Sequence, residues 1–308
     1  MAGGTESSMH LILCPMCNSN HGSIVWPGRN RGKFADSNPA YECANLKTSR
    51  PTVYRCKVCD HHFTNPLTWP RELGREYENV IDENYLNFQP VKLKTFNRAA
   101  VKVLRLFESP TSLIEVGSYT GIFLEIMQAK GWESTGIEPS KWGADYSRDK
   151  GLKVLQMSFE EAIELGVLPK VDLIASWDVL EHVKKPLDFL KNCAELLNER
   201  GYLALSTLDR TNFFARFTGS KWPWIIDMHL HYFDQKTIIE ACLDLDLKLI
   251  ETKAHVHYST ISYMLIKIFG INSLTRLISR IKFLNSYAIP IGFGDVRYYI
   301  FRKENKFV

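Results

Sequence analysis

The amino-acid sequence predicts a doubly wound α/β domain on a mostly parallel sheet, preceded by a small zinc-stapled segment. Three observations predict it. After residue 90, short apolar runs alternate strictly with amphipathic helical stretches, the pattern of a parallel sheet covered on both faces. Two glycines, Gly117 and Gly121, close the first of these runs in "IEVGSYTGIF". Four of the seven cysteines form two C-x-x-C pairs near the N-terminus.

The cysteine pairs come first in the chain: Cys14 and Cys17 in "CPMC", Cys56 and Cys59 in "CKVC". A two-residue gap lets both thiolates of a pair face one ion, and four thiolates close a tetrahedral structural Zn2+ site. The stretches "TVYRC" and "HHFTNP" around the second pair alternate like a hairpin, and "WPGRNRGKFADSNP" between the pairs reads as loop. This is the pattern of a zinc ribbon, placed with its linker over residues 1–88. Redox use of either pair would require a strand-to-helix context that is absent from the sequence. His61 and His62 are alternative ligands, but four cysteines complete the set. Such a closed site leaves no position for substrate and serves structure.

The second domain spans 89–308. Pro90 opens an amphipathic helix with Val91, Phe96, Ala100, Val103 and Phe107 on one face. "SLIEVG" is a buried parallel strand, and "IFLEIMQAK" the helix after it. "STGIE" and "LKVLQM" are the second and third strands, separated by the helix "SKWGADYSRDK", and "FEEAIEL" is a short helix. "VDLIASWD" is the fourth strand, "PLDFLKNCAELLNER" a helix, "YLALST" the fifth strand and "LKLIETKA" the sixth. In such sheets ligands bind at the carboxyl ends of the strands, near the reversal of strand order. The glycine spacing is G-x-x-x-G, so the dinucleotide fingerprint G-x-G-x-x-G is absent, and so is the phosphate-cradling G-x-x-x-x-G-K-[ST].

Glu138, in "GIEPS", ends the second strand about twenty residues after the glycine loop, where a carboxylate can accept both hydroxyls of a ribose. The fourth strand ends in "WDVLEHV". Together, "EVGSYTGIF", "GIEPS", "DVLEHVKKP" and the strand-like "DVRYYIFRKE" near the C-terminus resemble the class I S-adenosylmethionine-dependent methyltransferases from about residue 90 onward. The resemblance implies a Rossmann-like sheet of seven strands whose last strand is antiparallel. It implies that the backbone around Glu115, Gly117, Ser118 and Tyr119, with Gly121 and Phe123, holds the methionine part of S-adenosylmethionine, and that Glu138 holds its ribose. It implies that Met157 and Ser158 flank the adenine, and that Trp177 and Asp178 close the pocket.

A base within hydrogen-bond reach helps an oxygen nucleophile. His229 and His231 in "DMHLHYF", just before the helix "DQKTIIEACLDL", and His182 in "LEHV" are the candidates. A zinc ribbon ahead of this core is also similar to bacterial methyltransferases of sugar and surface-polysaccharide biosynthesis. The deoxysugar C-methyltransferases among them carry an H-x-H-F stretch to which "HLHYF" is similar. Met228 stands where those enzymes have tyrosine, so O-methylation is the expected reaction. The expected acceptor is a sugar, carried on a nucleotide or a lipid, or another small hydroxylated metabolite.

Residues 255–294 form an insertion before the final strand, with Lys267, Arg276, Arg280 and Lys282 among apolar residues. Three readings stand open for it: a lid, a peripheral membrane contact through 259–290, or a dimer interface. From Lys253 onward the chain has nine Lys/Arg against two Asp/Glu. That excess prompts two further readings, an RNA methyltransferase and a non-catalytic zinc-ribbon nucleic-acid binder. Against the first, no N-P-P-Y-type motif follows the fourth strand; against the second, the ribbon lacks dense Lys/Arg. The N-terminal residues show no basic region followed by a long apolar run, so the expected location is cytoplasmic.

Overall fold

The computed structural model describes residues 13–28, 50–66, 83–86, 88–260 and 288–304. The larger sheet is built from β4 (Ser112–Val116), β5 (Glu133–Ile137), β6 (Val154–Leu155), β7 (Val171–Trp177), β8 (Leu197–Leu208), β10 (Leu247–Ala254) and β13 (Val296–Lys303). Their spatial order is β10-β13-β8-β7-β4-β5-β6. Neighbours from β8 to β6 pair in parallel, and β13 runs antiparallel to both β8 and β10. The doubly wound sheet with an antiparallel last strand is therefore present. Strand order reverses between β4 and β7, which puts the crevice at their carboxyl ends.

Alternation along the strands divides the core in two. Ile114, Ile174, Leu203, Leu205, Tyr299 and Phe301 face the helices Phe159–Glu164, Pro186–Leu196 and Gln235–Leu243. Leu113, Leu173, Ala175, Ala204, Tyr298 and Ile300 face the helices Gln89–Leu104, Ile122–Gln128 and Lys141–Asp149. Local signals start these helices where expected. Pro90 lies in the first turn of Gln89–Leu104, and Ser140, Ser158 and Asp234 cap the helices that follow them. Two boundaries differ from expectation. The helix expected through Arg200 ends at Leu196, because Leu197 is extended, fully buried and paired with Val171. The third strand shrinks to Val154–Leu155.

The cysteine-rich segment is not a separate bead. Strands β1 (Gly22–Trp26), β2 (Val53–Cys56) and β3 (His62–Thr64) form an antiparallel ribbon, and β9 (His231–Tyr232) from the larger domain adds a fourth strand beside β3. Val53, Leu208, Trp222, Ile225, Tyr232 and Val296 form one buried cluster across the junction, with Trp26 packed against it. Arg210, 9% exposed on its side chain, donates to the Asp60 carbonyl and carboxylate at 2.8 Å each and to Asp234. Strands β11 (His257–Thr260) and β12 (Ala288–Ile291) pair antiparallel and bracket residues 261–287. Most of the expected lid or interface thus lies outside the described residues. Among the described residues, no helix is long and apolar enough to cross a membrane.

Arg210 joins a ribbon turn to the start of helix Gln235–Leu243, so its removal leaves Asp234 with an uncompensated charge. Arg210→Ala is expected to lower stability by about 1–3 kcal/mol, less than for a fully buried pair because Asp60 is half exposed. Urea denaturation checks this; a midpoint equal to wild type would contradict it.

Candidate functional site

The turn after β4 begins with Gly117 at φ 75° and closes with Gly121 at φ 72°. Both positions use a backbone region that favours glycine. The Gly117 and Ser118 amides donate to the Ile137 carbonyl at 2.9 and 3.2 Å, which ties this turn to the end of β5. The space a Cβ would need at Gly117 is already occupied: Val179 Cγ2 would lie 2.5 Å from it. Gly117 therefore serves close packing against the loop after β7. At Gly121 a Cβ would meet Leu152 and Ser147, so this glycine too serves close packing.

Glu138 lies at the carboxyl edge with its oxygens aimed by main-chain donors. Tyr119 N donates to Oε2 at 2.7 Å and Ser140 N to Oε1 at 2.8 Å. Burial raises its carboxyl while these two amides lower it, and the balance is about 7. Glu115, beside it on β4, is raised well above the usual range by burial and by the Glu138 charge. Buried polar atoms without a hydrogen-bond partner among the described residues gather here: Glu115 Oε2, Ser118 Oγ, Thr120 Oγ1, Ser176 Oγ and Trp177 Nε1. Unmet polar atoms at the carboxyl edge are what a polar ligand would satisfy.

Trp177 stacks on His255 at 5.8 Å between ring centroids and takes Phe123 edge-on at 5.3 Å. Phe123 is fully buried and belongs to the core, so it supports Trp177 and is not placed to touch a ligand; this corrects its expected place in the donor pocket. Met157 and Ser158 lie just beyond β6, and the Ser158 hydroxyl accepts the Glu161 amide at 3.1 Å as a helix cap. Asp178 has a positive φ of 56°. It is fixed by Ser206, whose hydroxyl donates to Oδ1 at 2.6 Å. Burial pushes the Asp178 carboxyl up, but His257, His255 and the Ser206 hydroxyl outweigh it and hold it below the usual range.

The histidines separate into three groups. His231 is fully buried between the ribbon and the larger domain. Its Nε2 lies 2.8 Å from the Val183 carbonyl and its Nδ1 3.1 Å from His61 Nε2. The carbonyl must accept, so Nε2 carries the proton and Nδ1 accepts from His61. Both nitrogens are spent on the junction, and burial holds the ring's pKa at about 3. This corrects the expectation that His231 could serve as a base. His182 and His229 do approach each other, with ring centroids 4.8 Å apart, and with Glu181 they bring one ligand atom each to within 4.8 Å of the others. The third group was not among the expected site residues: His255, and His257 with Nε2 3.8 Å from Asp178 Oδ2. "HVH" at 255–257 and the Glu–His step in "LEHV" were the available signals.

Cys14, Cys17, Cys56 and Cys59 converge, with Sγ atoms 3.6 Å apart for 14–59 and 3.5 Å for 17–56. Tetrahedral Zn–S bonds of about 2.3 Å place sulfurs about 3.8 Å apart, so the set fits a Zn2+ ion. Asn18 and Asp60 follow the two pairs at φ 56° and 62°, the matching turns that let the preceding amides face the sulfurs. Burial holds the Cys14 thiol well above its usual range, and a bound dication is what would make a thiolate of it.

The sheet order, the antiparallel last strand and the acid facing the glycine turn define a class I S-adenosylmethionine-dependent methyltransferase domain. The model of the methyltransferase domain family matches residues 92–252, more than half of the chain, and the chain belongs to that family. It is similar to the ubiquinone biosynthesis O-methyltransferase of Caulobacter vibrioides, 32% identical over 111 residues, 34% of this chain and 43% of the relative. It is 31% identical over 137 residues to the enzyme of the same name from Haemophilus ducreyi, 41% of this chain and 57% of the relative. The chain thus spans about half the length of the curated relatives it matches. A chain of the complex between the Haloferax volcanii Trm112 methyltransferase activator and a methyltransferase shares the fold, with TM-score 0.52 and 12% identity over 73% of this chain and 95% of that one.

Metal analysis of the purified protein is expected to give about one zinc per chain. Cys56→Ser is expected to lose it and Cys43→Ser to keep it. The opposite pattern would refute the cluster.

Proposed function

We propose that the protein transfers the methyl group of S-adenosylmethionine to a hydroxyl oxygen of a small acceptor. The observation that carries this reading is Glu138, a carboxylate aimed by Tyr119 N and Ser140 N at the edge where the glycine turn and the loop after β7 meet. In it, Glu138 takes the two ribose hydroxyls, and the turn 117–121 with Glu115, Ser118 and Tyr119 takes the methionine part. Met157 and Ser158 border the adenine, and Trp177 and Asp178 close the pocket. Oxygen as the methylated atom is supported by the names of the relatives, both O-methyltransferases. A sugar hydroxyl, presented on a nucleotide or lipid carrier, is the acceptor that the ribbon-plus-core arrangement favours. The four-thiolate cluster holds the ribbon and takes no part in transfer.

Bound S-adenosylmethionine supplies an electrophilic methyl group; the chain has to align the acceptor and receive its proton. His257 is suited to the second task. Burial lowers its pKa and Asp178 partly restores it, so the ring is neutral near pH 7 and has a lone pair to use. With Nε2 toward Asp178, Nδ1 receives the proton and the Asp178 carboxylate stabilises the imidazolium. Replacing such a base costs about 10²–10⁴-fold in rate. His257→Ala is expected to reduce release of S-adenosylhomocysteine across a panel of hydroxylated acceptors by that factor, while calorimetric affinity for S-adenosylhomocysteine stays unchanged.

Affinity for the donor should itself depend on pH. The anionic form of Glu138 is the one that accepts from both ribose hydroxyls, and its carboxyl titrates at about 7. Protonation therefore weakens binding as pH falls through that value, by at most about tenfold per pH unit for one proton. Glu138→Gln should bind S-adenosylhomocysteine about 1.5–3 kcal/mol more weakly at pH 8 and lose this pH dependence. Equal affinity for wild type and variant at pH 8 would remove Glu138 from the donor site.

A further inference from the structure

Positive charge collects on the helix that precedes the parallel sheet. Gln89–Leu104 carries Lys92, Lys94, Arg98 and Lys102 and no acidic residue. Two other helices pair their lysines one turn away, Lys191 with Glu195 and Lys236 with Glu240, as a solvated face does. Here the neighbours add to the excess instead. Arg105 follows the helix and Lys253 approaches from β10, and the charges of both reach Lys102. The carboxylate beside them, Glu251, is already taken. Arg105 pairs with it, Lys253 pairs with it at 2.9 Å, and the Tyr298 hydroxyl donates to it at 2.6 Å. Among the described residues, no carboxylate pairs with Arg98 or Lys102.

Lys102 is drawn against the sheet. Its Nζ stands 3.5 Å from the centre of the Tyr298 ring, which is 2% exposed. Burial, then the charges of Arg98, Arg105 and Lys253, pull its pKa down to about 8. A ring face attracts an ammonium group but does not replace the hydrogen bonds that it had in water. Arg98 is held over the Tyr258 ring at 5.9 Å, with Nη1 donating to the Tyr258 hydroxyl at 3.3 Å. Strand β11 is tied to the same helix, because the Tyr258 amide donates to Thr95 Oγ1 at 2.8 Å. Two cations are thus fixed near each other at a cost that no carboxylate offsets. We propose that Arg98 and Lys102, with Lys253 at the margin, bind a phosphate or diphosphate group carried by the acceptor.

The cluster adjoins the pocket. Tyr298 lies edge-on to His255 with 6.5 Å between ring centroids, and His255 lies edge-on to His257 at 4.6 Å. Burial is the first cause that lowers both imidazoles, and the charges of Lys92 and Lys102 add to it in each. His255 is 3% exposed, and its Nδ1 has no hydrogen-bond partner among the described residues. A ligand running along this row, from the cations to Asp178, would meet that atom on the way. A phosphate monoester brings about two negative charges near pH 7, which matches two unpaired cations where a carboxylate brings one. The guanidinium fork and the ammonium point charge both suit its oxygens. Calling the ligand the acceptor rests on the methyl-transfer reading; the anion site itself stands on the side chains alone.

The test titrates inorganic pyrophosphate into the full chain by calorimetry at constant ionic strength, with and without S-adenosylhomocysteine. Saturable binding of one pyrophosphate per chain is expected. Lys102→Met and Arg98→Met are each expected to weaken it at least about tenfold and Lys191→Met to leave it unchanged, while all three keep the S-adenosylhomocysteine affinity of wild type, which also reports folding. Absence of pyrophosphate binding by wild type, or equal binding by Lys102→Met and Arg98→Met, overturns the site. A nucleoside diphosphate that displaces pyrophosphate and binds more tightly assigns a nucleotide carrier, and farnesyl diphosphate doing so assigns a lipid carrier; both uphold the site. Single-stranded RNA that displaces pyrophosphate more strongly than either overturns its assignment to a small acceptor. Pyrophosphate is also expected to inhibit methyl transfer in competition with the acceptor. Binding without such competition upholds the anion site and overturns its part in acceptor recognition. Lys102-dependent binding in a chain with no affinity for S-adenosylhomocysteine upholds the site and removes the methyl-transfer reading instead.

Discussion

The carboxyl edge of the sheet depends on an atom that residue 117 lacks. Val179 Cγ2 occupies the place where a Cβ would stand, so the loops after β4 and β7 close on each other at van der Waals contact. Gly117 is also left-handed, so both space and backbone conformation exclude other residues there. Val179 lies in the segment Asp178–His182, and its contact with Gly117 fixes where the whole segment runs. Glu115 and Glu138 on one side, and Asp178, Glu181 and His182 on the other, are thus set relative to each other by one close packing contact. Helix Ile122–Gln128 is held in the same way a turn later, where Gly121 admits Leu152 and Ser147.

Closing the loops this tightly strains the backbone at two places. Tyr119 and Asp178 are non-glycine residues at φ 47° and 56°, each costing on the order of 1 kcal/mol. The strain is offset locally. The Tyr119 amide is the one that donates to Glu138, and the Asp178 amide reaches the Ser206 hydroxyl at 3.0 Å and its carbonyl at 3.1 Å. In both cases the unusual conformation turns an amide toward a group at the end of a neighbouring strand. The parallel core beneath, with β4 and β7 nearly solvent-free, is what allows these turns to persist.

Legibility from sequence followed the range of the interaction. Strands β4, β7 and β8 were readable from their apolar runs, and β5, β10 and β13 from their place in the alternation with helices and from the resemblance. The cysteine cluster was readable because two identical spacings meet the geometric demand of one ion. Contacts between distant segments were not. Nothing in "HLHYF" announces that His231 and Tyr232 pair with His62 and Phe63, which turns a suspected base into a junction residue. Nor does "HVHYST" announce that β11 crosses near the end of β7 and brings His255 and His257 to Trp177 and Asp178. The sequence places histidines in pairs, but the partner of each ring nitrogen decides its work, and for His61, His182 and His231 those partners lie 46 to 170 residues away. Phe123 failed for a simpler reason: a motif position next to a ligand loop can still point into the core.

The same partners decide how charge is distributed along the edge. Glu115, Glu138 and Glu181 all have raised carboxyl pKa values, and burial is the leading cause for each. Asp178 is the exception: His257, His255 and the Ser206 hydroxyl outweigh its burial, whereas the two amides at Glu138 and the Thr207 hydroxyl at Glu181 do not outweigh theirs. Near neutral pH the edge therefore holds far less negative charge than four acids suggest, and its most firmly ionised member is the one beside His257. That arrangement suits chemistry in which a proton is moved to a histidine while a methyl group leaves a positively charged sulfur. A strongly anionic pocket would bind the sulfonium tightly in the ground state and gain nothing as its charge disperses in the transition state. Keeping Glu115 and Glu181 neutral and Glu138 only partly ionised limits that cost, and Asp178 confines the remaining field to the side where, in the proposed reaction, a positive charge develops on the His257 ring.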